Sequence, residues 1–206
     1  MIHDISVEVR VGTPEWPGDA PFECGWTARI ADGASVNLSR VGGSPHVGTH
    51  ADAPLHVHDG WLASDALPLE AFLGTAFVMD VSGAPAGPLS IDPDDARLAG
   101  VERLLLRTGR CIADGSFPAE WPVLDSRTAA TLAERGLRLF GVDSPSVDAR
   151  HSTRLEVHHA LFAGGASVLE NLDLREVSEG SYELIALPQR LVGLDAAPVR
   201  AVLRTR

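Results

Sequence analysis

Between Pro45 and Gly60 the chain places His46, His50, Asp52, His56 and His58, four of its eight histidines and a carboxylate, all at even positions. In an extended backbone, residues of one parity share a face. An extended segment here therefore predicts a wall of metal-competent groups. Gly48 has the same parity and leaves the backbone open to a close approach. A helix would set His46 and His50 one turn apart, but Pro45, Gly48 and Pro54 oppose it, and the residue before a proline is driven toward extended geometry. Imidazole and carboxylate suit zinc, iron, manganese and nickel. The competing reading is a histidine-rich surface loop; five such groups of one parity, fenced by two prolines, favour the metal wall.

A wall of this kind is completed by residues distant in sequence. His158 has Leu155 three positions back and Leu161 and Phe162 three and four ahead, so helical spacing turns it inward. Glu170 follows the apolar run Ala166 to Leu169. Each has a plainer explanation as a satisfied core residue, and a carboxylate in that position should not be buried unless paired. Both are accounted for together if they are ligands, because a divalent cation compensates a buried carboxylate.

Length and charge narrow what surrounds such a site. A chain of 206 residues with 45% hydrophobic content is sized for one domain, taken as 1–206. The formal net charge of -11 argues against nucleic acid or an anionic membrane as a partner. All 17 basic residues are arginine, which removes a lysine Schiff base and a Gly-Lys-Ser phosphate loop. Cys24 and Cys111 form no Cys-x-x-Cys pair, and isolated thiols point to a reducing compartment. With no signal-like N-terminus and no apolar run approaching ~20 residues, a soluble cytoplasmic protein is expected.

Periodicity gives a mixed set of elements. Strands are expected at 2–11, 25–31, 34–42, 75–81, 101–106, 137–142, 168–169, 182–187 and 199–203, with 110–124 a loop. About four helices are expected: one or two turns at 67–73, a short helix at 92–98, one at 126–135 capped by Ser126, and one at 153–163 opened by a Thr153/Glu156 capping box. The sum is one α/β domain with some antiparallel pairing.

The string His46-x-Gly-Thr-His50-x-Asp52-x-Pro-x-His56 resembles the signature of the metal-dependent cyclase family. The likeness is closest to its bacterial kynurenine formamidase (arylformamidase) branch. It takes in Trp16-Pro17-Gly18-Asp19, Gly141 to Asp148, His151-Ser152, His158-His159 and Leu169-Glu170, then Tyr182 to Pro188 and Pro198 to Arg204. The stretch from about 84 to 124 matches least. The resemblance implies a compact swivelling β/β/α fold, a homodimer or higher homo-oligomer, and two Zn2+ per subunit, with Mn2+ or another divalent ion as substitute. His46, His50 and Asp52 would hold the first ion and His158 the second, with Asp52 and Glu170 bridging both. His56 would be the acid/base and Trp16 a substrate contact. The implied reaction belongs to the kynurenine pathway of tryptophan breakdown. In it, a dizinc-bound hydroxide would hydrolyse a small-molecule aryl formamide, N-formyl-L-kynurenine, to L-kynurenine and formate.

Elementary chemistry is consistent with those roles. Metal coordination lowers the pKa of water from ~15.7 to about 7, giving a nucleophile at neutral pH. An aryl amine leaves poorly without a proton, which a histidine can carry. Two alternatives stand beside this reading: a ring-opening amidase of the isatin hydrolase type, and a non-catalytic metal-binding module whose site would be fully coordinated by protein. His56 as a third ligand of the first ion is the alternative to its acid/base role, and simple packing the alternative for Trp16. His58 and His151 are expected to be supporting or surface groups.

Overall fold

The computed structural model describes residues 1–205. In chain order its regular elements are β1 (Ile2–Asp4), β2 (Glu23–Ala28), β3 (Leu38–Gly42), β4 (His50–Asp52), β5 (Leu73–Asp80), β6 (Gly87–Leu89), β7 (Arg103–Arg107) and β8 (Pro122–Leu124). There follow α1 (Ser126–Glu134), β9 (Leu139–Val142), α2 (Glu156–Ala163), β10 (Ser167–Glu170), β11 (Gly180–Ile185), β12 (Ala196–Pro198) and β13 (Val202–Arg204). One large sheet has the order β1-β13-β11-β5-β7-β9-β10-β4-β12. Its centre, β5 through β10, is parallel, and antiparallel strands extend it on both sides. The result is the single mixed α/β domain of swivelling β/β/α type that the sequence implies.

The sheet separates two cores. Along β7, Leu104 and Leu106 pack with α1 and α2 through Leu132, Val157 and Leu161, while Leu105 turns to the other side with Ala76, Val78, Leu139 and Leu169. A parallel strand covered on both faces reads as a continuous apolar run, as Leu104-Leu105-Leu106 does. These buried side chains contribute roughly 1.5–3 kcal/mol each relative to exposure. The chain then curls so that Ser6 bridges Leu172 and Ile5 accepts from Asp173 N.

Several local expectations need correction. The opening strand ends at Asp4, because residues 5–7 leave β13 to reach Leu172 and Thr49. Over 92–98 only a 3-10 turn forms, Ala96–Leu98. There the Asp92 and Asp95 carboxylates accept the backbone N–H groups of Asp94 and Arg97, an arrangement that competes with an α-helix. Over 67–73 the chain likewise forms a 3-10 turn, Leu69–Phe72, so the α-helices among the described residues are two. Within 110–124, β8 pairs in parallel with β6. α1 is capped by Asp125, not Ser126: the Asp125 carboxylate accepts from Thr128 N at 2.9 Å. The Thr153/Glu156 capping box is absent. α2 starts at Glu156 behind Leu155 in a left-handed conformation (φ 47°), and Asp148 takes over the capping.

Candidate metal centre

β4 lies between β10 and β12, with Glu170 opposite His50 and Val168 opposite Asp52. Paired residues on adjacent strands point to the same face of a sheet. His50, Asp52 and Glu170 therefore project together toward the α2 side, all of them buried. From α2, His158 brings Nε2 to 3.1 Å from Asp52 Oδ2 and 3.3 Å from Glu170 Oε1. Parity explains His50 and Asp52 but not the rest, since the segment is extended only over 50–52. His46 arrives from a turn at 44–48 that needs Gly48 at φ 76°, where a Cβ would lie 2.4 Å from Val9 Cγ2. His56 arrives from the 3-10 turn Pro54–His56.

Each of the three inner histidines has one ring nitrogen turned outward to an acceptor and the other turned inward to a carboxylate. His50 Nδ1 lies 2.9 Å from the Gly48 carbonyl, and His50 Nε2 faces Asp52 Oδ1 at 3.2 Å and Glu170 Oε2 at 3.6 Å. His158 Nδ1 lies 2.7 Å from Asp148 Oδ2, which leaves Nε2 for Asp52 and Glu170. His46 Nε2 lies 3.0 Å from Asp195 Oδ2, and Nδ1 is 3.1 Å from Asp52 Oδ1. An outward N–H donor leaves the inner nitrogen with a lone pair aimed at carboxylate oxygens. Only positive charge between them makes that arrangement favourable.

Two observations show that the donors fit a cation. His50 Nε2 and Asp52 Oδ1 are buried without a hydrogen-bond partner, a costly condition for a protein interior. The ligand atoms also cluster: those of His50, Asp52 and Glu170, and those of His46, Asp52 and His56, each lie within 4.8 Å of one another, with Asp52 common to both sets. The electrostatics agree. Burial alone would lower the His46 pKa, but the hydrogen bond with Asp195 and the nearby Asp52 carboxylate overcome it and lift it to about 10. At His50 burial is outweighed by the charge of Asp52, which lifts it to about 9. His158 is raised well above its ordinary value, burial being overcome by Asp148, Asp52 and Glu170. Burial disfavours charge on Asp52 and Glu170, and the facing histidines still hold both low. The carboxylates thus demand positive charge, which protons supply when no cation does.

The centre opens into a cavity of about 280 Å³ whose wall includes Pro14, Trp16, Phe117, His56, His158 and Glu170. Trp16 is 37% exposed and meets Phe117 edge to face, with ring centroids 5.6 Å apart. His56 stands at the mouth with its side chain 30% exposed, Nδ1 3.2 Å from Asp195 Oδ2 and its ring 4.5 Å from that of His46. All seven sequence-selected residues therefore converge. His58 does not join them: it is exposed and stacks on Trp61. His151 is exposed as well.

Two residues escaped the sequence reading. Asp148 belongs to the Gly141 to Asp148 string, which by itself assigns it no role. In the structure its carboxylate accepts from Val157 N and His158 N and holds the His158 ring. Asp195 sits in the bend just before β12, where neither periodicity nor spacing marks it.

The family described as "Putative cyclase" matches residues 3–149. A kynurenine formamidase of Salinibacter ruber (strain DSM 13855 / M31) is 47% identical over 205 residues, covering 98% of this chain and 96% of that protein. One of Bordetella pertussis (strain Tohama I) is 44% identical over 203 residues with the same coverage. Among solved structures, a potential metal-dependent hydrolase with cyclase activity superposes with a TM-score of 0.81 at 27% identity, over 98% of this chain and 96% of that one. Isatin hydrolase A of Labrenzia aggregata shares the fold, with a TM-score of 0.80 at 23% identity over 100% of this chain and 94% of that one.

Proposed function

The chain belongs to the putative cyclase family, and from that membership we propose that it is an arylformamidase hydrolysing N-formyl-L-kynurenine to L-kynurenine and formate. The observation that carries this reading is the set of inward ring nitrogens facing two buried carboxylates at the floor of an aromatic-walled cavity. Relatives named kynurenine formamidase at 44–47% identity over nearly the whole chain support it.

His46, His50 and Asp52 would hold one Zn2+ and His158 a second, with Asp52 and Glu170 shared between them. Divalent ions in such a donor set acidify water and polarise the formyl carbonyl. The chain's own groups do the rest. His56, beside the cavity and not sealed within the carboxylate cluster, takes a proton from water and returns it to the departing aryl amine. Water adds across the formamide C–N bond, so the products are an amine and formate. Trp16 and Phe117 present an edge-to-face aromatic corner that fits the aryl ring.

The amino-acid end of the substrate has a fitting counterpart. Asp19 lines the cavity, and the Arg150 guanidinium lies 5.2 Å over the Phe117 ring with no acidic partner among the described residues. Asp19 at the wall and Arg150 over its Phe117 complement an α-ammonium and an α-carboxylate. Isatin, the competing substrate, has neither group. A fully coordinated structural site, the non-catalytic alternative, is poorly served by donors that open onto a cavity.

Further parts of the reading concern the whole molecule. The exposed apolar residues of β2 and β3 support a homodimer or higher homo-oligomer. Free Cys24 and Cys111 fit a cytoplasmic setting. No helix among the described residues is long and apolar enough to cross a membrane. The deciding test is formate release from N-formylkynurenine by chelator-treated protein, with and without added zinc, alongside isatin ring opening. Zinc-restored formate release supports the reading. Turnover of isatin alone would replace it with the second amidase activity.

A further inference from the structure

We infer that Asp195 is a positioning residue that ties the metal centre to the proton carrier through a single oxygen. Asp195 Oδ2 lies 3.0 Å from His46 Nε2 and 3.2 Å from His56 Nδ1. A carboxylate only accepts, so both nitrogens donate their N–H to the same atom. That fixes two tautomers at once. His46 keeps the lone pair on Nδ1, the nitrogen 3.1 Å from Asp52, and is left to ligate through it. His56 keeps its free nitrogen at Nε2, which becomes the atom that carries the proton. The two rings, with centroids 4.5 Å apart, are thereby held at a set tilt by a common hinge.

The backbone makes Asp195 suited to this. Its carbonyl accepts from Ala53 N at 2.8 Å, its neighbour Leu194 accepts from Ser64 N at 2.8 Å, and Gly193 N donates to Asp65 Oδ1 at 2.9 Å. Ser64 Oγ adds a 2.7 Å bond to the Leu191 carbonyl. The 191–195 turn is thus laced to the 53–65 segment, the one that carries His56, and β12 pairs directly with β4, where Ala196 faces Asp52. Asp195 is an extension of the frame that holds both histidines. Its side chain is 43% exposed, so solvent screens its charge and its contribution is chiefly geometric.

This inference rests on the formamidase reading for the His56 half and on the metal centre alone for the His46 half. Outer-sphere partners of ligating histidines are worth about 10–100-fold in metal affinity or activity. Asp195→Ala is therefore expected to weaken zinc binding, read by competition with a chromogenic chelator, by about tenfold or more, and to lower kcat in zinc-saturated protein with KM little changed. Asp195→Asn keeps an acceptor oxygen and should restore most of the zinc affinity; it also serves if the alanine variant fails to fold. In a His56→Ala background, Asp195→Ala should cost no further kcat while the loss of zinc affinity persists. If Asp195→Ala changes only the melting temperature, leaving zinc affinity and kcat within twofold, the inference is wrong. It is equally wrong if the kcat loss persists undiminished in the His56→Ala background. Should the wild-type chain release no formate at all, the formamidase reading fails, and the zinc competition still tests the His46 half.

Discussion

The carboxylate-lined floor formed by β4 and β10 and the arm formed by β2 and β3 break the same rule in opposite directions. In the first, Asp52 and Glu170 are buried with His50 and His158. In the second, Trp26, Leu38 and Val41 are 58%, 56% and 71% exposed on a two-stranded ribbon that pairs with no other strand. Charge belongs outside and large apolar groups inside. An isolated two-stranded ribbon is also only marginally stable in water. Each exception becomes economical once something from outside the chain is added: a cation at the floor, a protein surface along the arm. Reading both as unfinished surfaces explains more than treating either as an oddity.

The sharpest way to break this comparison is to neutralise the floor. Glu170→Ala is expected to lose metal and to reduce kcat/KM by about 10³-fold or more, measured as formate release and as metal per chain by elemental analysis. If the variant keeps its metal and activity, the floor is not a cation site.

His56→Ala, at the edge of the same region, should retain metal while turnover falls about 10²–10⁴-fold. Loss of a stoichiometric equivalent of metal would instead make His56 a ligand, a role its closeness to His46 and Asp52 allows.

Protons should also compete with the cation at the floor. In the metal-free protein His46 and His50 are pushed up to about 10 and about 9. A raised pKa means that the stability from these pairs is complete below the unfolded value of about 6.5 and is lost as pH climbs through about 9 to 10. Chelator-treated protein should therefore lose melting temperature across that window more than zinc-loaded protein does. Zinc binding at pH 7 should release protons, seen as a buffer-dependent heat in titration calorimetry.

The smallest effect on chemistry is expected at the arm. Trp26→Ser combined with Val41→Ser should reduce the molecular mass found by analytical ultracentrifugation while changing kcat less than threefold. An unchanged mass would mean that the arm's apolar face is not where copies of the chain meet.

The two regions were unequally legible. At the floor, a period of two identified His50 and Asp52 because they do sit in a strand, and helical spacing identified His158 because α2 does turn it inward. Glu170 stood out as a charge closing an apolar run. His46 and His56 reach the floor by a different geometry from the extended wall expected: a positive-φ glycine and a 3-10 turn bring them in. Asp148 and Asp195 had no such signal, since their roles depend on contacts 10 and 149 positions away along the chain. Local capping was misread for the same kind of reason. At α2 the helix start is satisfied by Asp148 from a preceding loop, which no Ser/Thr-x-x-Glu pattern can reveal.

One feature at the far side of the sheet bears on how the protein can be handled. Met1 and Thr205 are hydrogen-bonded to each other, amine to hydroxyl at 2.7 Å and amide to carbonyl at 3.0 Å, where β1 pairs with β13. Met1 and Thr205 are therefore next-door neighbours. A short glycine-serine splice could link these two positions and the chain be opened instead at an exposed loop, giving a circular permutant.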